Sequence, residues 1–377
     1  NPLNFGIKQG CLMSKKAEKK ANILISGDYG EGNIGDEIIL SELVKLLSKA
    51  FPEAQLSVIT KKPETAAALG VEAVQAKNPF RLRAAVEKAD VMVSAGGIML
   101  ENMLLHKSLG SYLQLLELAR QKKTAVFFHS FSISPLLRRR ERKKLSSAVV
   151  SNARFISLRD RESYEWLKKS GINGGELHLM SDLAVSLELR ENTPETKNKK
   201  PYAAFCLKES ENTHRELREL KKFAKRLYED EGLGILLAAL SDEDRRIEKM
   251  FIDALIEERV PHISLGEGVA YEDLALIISQ SEFVLSERLH GLVFAALGGA
   301  RAMGLSKRDK IREFAAEMAY PLQDGASATA ETLFEAFKKQ KEEFSRENSM
   351  QRLSELRKIN ASVNSVLIEA IREELRL

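Results

Sequence analysis

The residues best equipped for chemistry stand together in Ser286-Glu287-Arg288-Leu289-His290-Gly291. An apolar run, Phe283-Val284-Leu285, leads into them, and a helical apolar pattern through Leu292, Val293, Ala296 and Leu297 leads away. A strand therefore runs into a helix, with Arg288 and His290 at the helix mouth. The first N–H groups of a helix lack intrahelical partners and the positive end of its dipole lies there, so an anion is expected. A guanidinium offers that anion a two-point clamp. An imidazole titrates near neutral pH and can pass a proton. The turn reads as a reaction centre, and the rest of the chain as the frame that brings substrates to it.

A second stretch, Gly30-Glu31-Gly32-Asn33-Ile34-Gly35, has the G-x-G-x-x-G spacing of dinucleotide sites. Two features speak against a dinucleotide. Asp36 and Glu37 follow the last glycine, where a pyrophosphate would sit, and the next strand ends in Thr60-Lys61-Lys62 without an acidic residue for a ribose. The loop suits a polyol better: Asn33 and Asp36 supply donors and acceptors, and Gly32 and Gly35 let the backbone come close. Asp36 can also N-cap the helix that follows, and the two roles are compatible. His106 follows the Gly96-Gly97 turn in a Met/Leu-rich segment and could reach an acceptor. His129 ends a strand at the presumed cleft edge; substrate contact and a satisfied buried histidine are equal readings. The six histidines are scattered, none at ligand spacing from a cysteine or carboxylate, so no metal and no cofactor is expected.

The elements that position these residues alternate. Strands at 22–26, 56–60, 71–75, 90–94, 124–129 and 155–158 are separated by helices at 36–47, 64–69, 80–88, 109–121 and 138–150, with another at 162–169. After 191–201, a polar stretch with two prolines, the alternation restarts: strands at 202–206, 234–239, 262–265, 283–285 and 301–305 alternate with helices, the last beginning at 309. The pattern implies an α/β fold with two parallel, Rossmann-like sheets facing each other across a cleft. The expected division is a first domain at 21–190, a linker at 191–201, a second domain at 202–325 and a charged helical tail at 326–377. The tail either packs back across the hinge or makes an oligomer contact. Residues 1–12 read neither as a signal peptide nor as a folded start. The expectation is that Met13 is the natural beginning and that 1–20 stays outside the fold.

With 377 residues, 44% of them hydrophobic, the chain can build two sizeable cores. No apolar run approaches the roughly 20 residues needed to span a bilayer. Two cysteines make no disulfide framework, so a reducing, cytoplasmic setting fits. The net charge of +4 is uneven, with a dense basic segment at Arg138-Arg139-Arg140 and Arg142-Lys143-Lys144. That segment is either a solvated helix face or a patch drawn to an anionic membrane surface or polyanion. Trp166, at helical spacing with apolar neighbours, reads as core.

Gly32-Asn33-Ile34-Gly35-Asp36-Glu37, followed much later by Arg288-Leu289-His290, resembles the polysaccharide pyruvyl transferase family, above all its bacterial cell-wall polymer members. The resemblance runs from about 22 to about 314 and takes in Ser94-Ala95-Gly96-Gly97, Ser157-Leu158-Arg159-Asp160, Ser181-Asp182 and Gly304-Leu305-Ser306. It implies a two-domain architecture like that of the B-type glycosyltransferases (GT-B). It further implies phosphoenolpyruvate as donor, and a pyruvate ketal on N-acetylmannosamine of a lipid-linked precursor as product, with phosphate released. Arg288, Lys310 and Arg159 then match donor-binding residues, joined by N–H groups at Leu289 and Gly291. His290 is the expected acid, favoured in its charged form beside bound anions, and Asp36 or Asp182 the expected base. Gly32, Asn33, Gly35, Gly96, Gly97, His106 and His129 fall on the acceptor side. Arg159 can alternatively be locked in an ion pair with Asp160 or Asp182. The chain departs from the family in having Ala95 before Gly96-Gly97. It departs again in Lys307-Arg308-Asp309-Lys310, which leaves open which of Lys307, Arg308 and Lys310 meets phosphate.

Two other classes of function remain compatible with the sequence: a glycosyltransferase using a nucleotide sugar, with Glu267 or Glu272 for a ribose, and a non-catalytic saccharide-binding scaffold. The expected partners are phosphoenolpyruvate and a lipid-linked or nucleotide-linked saccharide, with peripheral contact at the inner face of the membrane. No nucleic-acid partner is expected, and oligomerisation is left open.

Overall fold

The protein is seen here as a computed structural model, which describes residues 20–97, 106–133, 138–169, 177–190, 201–266, 268–306 and 309–376. The expected start at 1–20 and linker at 191–201 lie outside these apart from Lys20 and Pro201, as do Glu267, Lys307 and Arg308.

The first half alternates strand and helix: β1 (Asn22–Tyr29), α1 (Ile34–Ala50), β2 (Gln55–Thr60), α2 (Pro63–Ala68), β3 (Glu72–Gln75), α3 (Pro79–Lys88), β4 (Val91–Gly97), α4 (His106–Lys122), β5 (Ala125–Ser132), α5 (Arg139–Asn152), β6 (Ala153–Leu158), α6 (Arg161–Lys169) and β7 (Leu177–Leu179). These strands form one sheet in the order β3-β2-β1-β4-β5-β6-β7, and every described pairing in it is parallel. A 3-10 turn at Leu183–Ser186 carries the chain onward.

The second half repeats the plan with β8 (Tyr202–Cys206), α7 (Thr213–Glu231), β9 (Gly234–Leu237), α8 (Arg245–Glu257), β10 (His262–Ser264), α9 (Tyr271–Ser279), β11 (Phe283–Ser286), α10 (Leu289–Gly298), β12 (Arg301–Leu305), α11 (Asp309–Met318) and β13 (Leu322–Gln323). Its order is β10-β9-β8-β11-β12-β13. Helices on both faces explain why the central strands are apolar almost throughout, as in Ile23-Leu24-Ile25 and Phe127-Phe128, all fully buried. In each sheet the winding reverses once, between β1 and β4 and between β8 and β11. A crevice opens beyond the strand ends at such a reversal. The glycine loop follows β1 and the Arg288–His290 turn follows β11, so both chemical stretches stand at a reversal point.

Two details depart from the sequence reading. Helix α1 starts at Ile34, and its N-cap is Asn33, whose side chain accepts from the Gly35 N–H at 3.2 Å; Asp36 is already inside the first turn. Strands β7 and β13, of three and two residues, carry no periodicity that a sequence could reveal.

The tail packs onto the cores of both halves of the chain. Helix α12 (Ala330–Glu343) buries Leu333, Phe334 and Phe337 in the second domain's core with Phe223 and Phe283. Helix α13 (Arg346–Leu375) then runs across both domains. Its Leu353 and Leu356 join the core under α10, while Val363, Leu367 and Ile371 join the core between α1 and the first sheet. Truncating a fully buried leucine typically costs about 2–5 kcal/mol. Leu367→Ala is therefore expected to lower stability to denaturant by that order, although it lies in the tail. A loss well under about 1 kcal/mol would show that α13 does not share the first domain's core.

Candidate active site

The turn between β11 and α10 is built from short-range contacts. Ser286 Oγ accepts from the Arg288 N–H at 3.1 Å and donates to the Arg288 carbonyl at 2.6 Å. A Cβ on Gly291 would overlap Ser286 Oγ and crowd Cys206 Sγ, so this glycine lets α10 settle on β8 and β11. The Leu289 side chain is buried in a cluster that also takes in Ile38, Ala184, Val185 and Leu187 of the first domain. Leu289 and Gly291 thus hold the helix mouth in place, and only their backbone groups are available to a ligand.

Arg288 departs from its expected role. Its Nε donates to Asp244 Oδ2 at 2.9 Å and its Nη2 pairs with Asp244 Oδ1, with both side chains largely buried. The anion in the clamp is the protein's own carboxylate, from the residue just before α8. Burial pushes the Asp244 carboxyl up, and the guanidinium works against that rise. Nothing local in the sequence marks this pair, which spans 44 positions.

His290 points from α10 towards the first domain. Its imidazole lies against Gly35, where any Cβ would overlap the ring. Gly35 is thus spared a side chain to admit a histidine, which corrects its assignment to acceptor contact. His290 Nε2 is 3.7 Å from Asp182 Oδ2 and has no hydrogen-bond partner among the described residues. Asp182 accepts from Arg159 Nη1 at 2.6 Å through that same oxygen, and its Oδ1 accepts from the Ala184 N–H at 2.9 Å, capping the 3-10 turn. Of the two sequence readings of Arg159, the ion pair with Asp182 is therefore present, while Arg159 Nε is buried without a hydrogen-bond partner among the described residues. Asp36, 5% exposed, accepts from Asn33 Nδ2 at 2.6 Å. Gly96, at φ +88°, leaves room beside it: a Cβ there would stand 3.7 Å from Asp36 Oδ1. Lys310, in the first turn of α11, is close enough to act on the charges of both Asp36 and His290. Asp36, Arg159 and Asp182 from one domain thus meet His290 and Lys310 from the other.

Burial sets the protonation of this group. It raises the Asp36 carboxyl to about 7, against the opposing pull of Arg159 and Lys310. It would raise Asp182 too, but Arg159 and then His290 hold that carboxyl well below the usual range. Burial lowers His290, with Asp182 opposing and Arg159 and Lys310 adding to the effect. Among protein groups alone the neutral imidazole is thus favoured; the expectation of a charged His290 concerned bound anions, whose negative charge would act in the opposite direction.

The glycine loop is gripped by the second domain. Asn33 and Ser241 form an antiparallel bridge, the Ile34 N–H donates to the Leu240 carbonyl at 3.0 Å, and the Asp242 N–H donates to the Gly32 carbonyl at 3.2 Å. Gly32, at φ +76°, faces the Asp242 carboxylate, with which a Cβ would collide. Gly32 and Asn33 are thus interdomain contacts and a helix cap, not an open acceptor surface. A second bridge is Glu313 of α11, whose carboxylate accepts from the Arg161 and Glu162 N–H groups at 2.7 and 3.3 Å and so caps α6.

The remaining candidates separate. His129 is fully buried, bonded through Nδ1 to Ser157 Oγ at 2.9 Å, and lowered to about 4 by burial. It is a neutral structural histidine, not an acceptor contact. Gly97 ends β4 opposite Ser132. His106 is the first residue of α4, and its side chain lies outside the described residues. Three residues that sequence reasoning missed stand nearby. Asp28 acts on the charges of Tyr29, Asp36 and Tyr112; Tyr112 OH shares a 2.6 Å hydrogen bond with Ser94 Oγ; and Asp244 holds Arg288. Only Asp28, near the end of β1 and just before the glycine loop, carried a local signal. Among the described residues no group of three or more His, Cys, Asp or Glu side chains gathers to hold a metal ion.

Comparison with known proteins fits this geometry. The family model described as polysaccharide pyruvyl transferase matches residues 33–306. No curated protein matches the chain. Solved structures share the fold at low identity. Staphylococcus aureus MnaA, solved with UDP, is 12% identical, with TM-score 0.63 over 88% of this chain and 91% of that one. The UDP-GlcNAc 2-epimerase of Neisseria meningitidis, bound to UDP-GlcNAc, is 11% identical, with TM-score 0.62 over 94% and 100%. A glycosyltransferase of Rickettsia africae is 10% identical, with TM-score 0.61 over 94% and 99%. These likenesses speak for the GT-B-type architecture alone. Asn33-Ile34-Gly35-Asp36 at the end of the glycine loop, Arg159, Asp182 and the Arg288–His290 turn fall inside the matched stretch, and the chain belongs to the polysaccharide pyruvyl transferase family.

Proposed function

We propose that the protein moves the pyruvyl group of phosphoenolpyruvate onto two hydroxyls of a saccharide and releases phosphate. The observation that carries this reading is the interdomain group of Asp36, Arg159, Asp182, His290 and Lys310, with Arg159 Nε and His290 Nε2 buried and lacking hydrogen-bond partners among the described residues. Phosphoenolpyruvate brings a carboxylate and a phosphate. Arg159, Lys310 and the first-turn N–H groups of α10, at Leu289 and Gly291, are a suitable receptor for two anions. Arg288, engaged by Asp244, then serves by fixing that helix mouth. Bound negative charge raises the proton affinity of His290, so the acid forms as the donor binds.

His290 delivers a proton to the methylene carbon, leaving an oxocarbenium-like centre at the neighbouring carbon. One sugar hydroxyl adds there, the bond to the phosphate oxygen breaks, and a second hydroxyl closes the ketal. Of the two hydroxyl protons, one restores His290 and the other leaves with phosphate. Asp36, with its raised carboxyl, is the group proposed to relay the first. Asp182 stays charged and steadies His290. No cofactor is invoked; phosphoenolpyruvate is a co-substrate.

The acceptor proposed is N-acetylmannosamine in a lipid-linked cell-wall polymer precursor, approached from the first domain near Asp28, Gly96 and Tyr112. A cytoplasmic protein working at the inner membrane face suits that acceptor. Arg138, Arg139, Arg140, Lys143 and Lys144 lie exposed on and beside α5, while Arg142 turns in to Glu162 and Trp166. Among the described residues no helix is long and apolar enough to cross a membrane.

Purified protein with a suitable acceptor is expected to release phosphate from phosphoenolpyruvate and form the ketal. Calorimetric binding of a UDP-sugar but not of phosphoenolpyruvate would instead favour a glycosyltransferase. Removal of a general acid typically costs about 10²–10⁴-fold. His290→Gln should lower kcat by that range with donor binding kept, and an unchanged kcat would remove His290 from the chemistry. Asp36 gives a test of opposite sign for stability. Its carboxyl titrates at about 7 when folded and 3.8 ordinarily. Between these values the folded chain holds a proton that the unfolded chain releases. The protonated form's stability is intact below that window and is lost as pH rises through 7, at about 1.4 kcal/mol per unit at most. Asp36→Asn is therefore expected to raise stability at pH 8 while lowering turnover. A variant destabilised at pH 8 would mark Asp36 as a structural residue.

A further inference from the structure

We infer that Asn360, on the C-terminal helix and outside the family-matched stretch, is a positioning residue that sets Asp182 and, through it, His290. The buried side of α13 repeats at Leu353, Leu356, Asn360, Val363, Leu367 and Ile371. This is a helical stripe with one amide where the spacing calls for an apolar side chain. Asn360 is fully buried, and burying an amide is tolerated only when its groups are bonded. Asn360 Oδ1 accepts from the Ser181 N–H at 2.9 Å and its Nδ2 donates to the Asp182 carbonyl at 3.1 Å. Nearly one turn earlier, Arg357 donates from Nε to the Val185 carbonyl at 2.7 Å and from Nη2 to the Leu187 carbonyl at 2.8 Å. Helix α13 thus holds the backbone of 181–187 at four points.

That segment has little structure of its own beyond one 3-10 turn. Two first-domain contacts also hold it, Met180 N–H to the Leu158 carbonyl at 2.9 Å and Leu183 N–H to Ser130 Oγ at 3.2 Å. Among the described residues only Asn360 grips both the N–H before Asp182 and the carbonyl of Asp182 itself. The carboxylate reaches Arg159 and His290 from this backbone, so a displacement there is passed directly to the interdomain contact. The charged groups acting on His290 are Asp182 and Arg159 from the first domain and Lys310 from α11. Of these only Asp182 favours its charged form.

The activity arm of the test rests on the proposed pyruvyl transfer; the spectroscopic arm does not. Asn360→Leu puts an apolar side chain of similar size into the stripe, and Asn360→Ser covers the case in which leucine prevents folding. Val363→Ala, one turn further on, is the control for damage to the helix alone. The His290 imidazole is followed by NMR across pH in the full chain, assigned by its loss in His290→Gln. In the Asn360 variants His290 is expected to titrate lower by about half a unit or more, because the stabilising carboxylate has moved. The kcat for phosphate release should fall about tenfold or more with the KM for phosphoenolpyruvate little changed, as misplacement of a reacting group predicts. Val363→Ala should lower the thermal midpoint and leave both readouts in place. Asn360 variants that lose stability like the control, with His290 titration and kcat as in the wild type, would overturn the inference. If the wild type turns over no phosphoenolpyruvate, the proposed function fails while the NMR arm still decides the role of Asn360.

Discussion

The buried contact of Arg159, Asp182 and His290 is the constraint on which the two domains depend. Each partner comes from a different place: Arg159 from the end of β6, Asp182 from a single 3-10 turn, His290 from the first turn of α10. A buried carboxylate without partners is strongly unfavourable, and the guanidinium and imidazole are what make this one tolerable. The charged pair of Arg159 and Asp182, at the first domain's strand ends, thus lies against the imidazole at the second domain's helix mouth. The apolar cluster beneath them, where Leu289 and Leu292 meet Ile38, Ala184 and Leu187, holds the same interface by area.

The glycine loop belongs to that interface. Its spacing resembles a phosphate cradle, yet its glycines answer two neighbours from the opposite domain: the Asp242 carboxylate at Gly32 and the His290 ring at Gly35. The G-N-I-G-D-E stretch is in this sense a docking surface for the second domain that also presents Asp36 to the site. Close approach excludes water, which accounts for the opposite displacement of Asp36 and His290, one carboxyl pushed up and one imidazole pushed down. Burial thus favours the protonated carboxyl and the neutral imidazole. A dianionic ligand is the kind of partner that would reverse the second preference.

Arg288 shows how a correct local reading can still miss the partner. The turn offers an anion a guanidinium clamp, and Asp244 occupies that guanidinium. The result is a rigid helix mouth, with Ser286 bonding both the N–H and the carbonyl of Arg288. His290 then projects from a fixed base, which a group required to move a proton at a defined atom needs.

By itself the sequence determined the alternation of strands and helices, the two parallel sheets, the placing of both chemical turns at strand ends, and the family. These follow from local rules: apolar runs flanked by glycine turns, helical periodicity, and short motifs in order. It did not show β7 or β13, which are too short to carry a period. Nor did it show which candidates meet. Asp244 lies 44 positions from Arg288, Glu313 lies 152 from Arg161, and Asn360 lies 178 from Asp182. His129 and His290 look alike in the sequence as histidines at strand ends, yet only His290 reaches the other domain, because β5 buries His129 against Ser157 and Phe155. Local pattern fixes where a side chain starts. Its partner, its burial and hence its charge are set by the packing of elements far apart in the chain, and only the tertiary structure decides them.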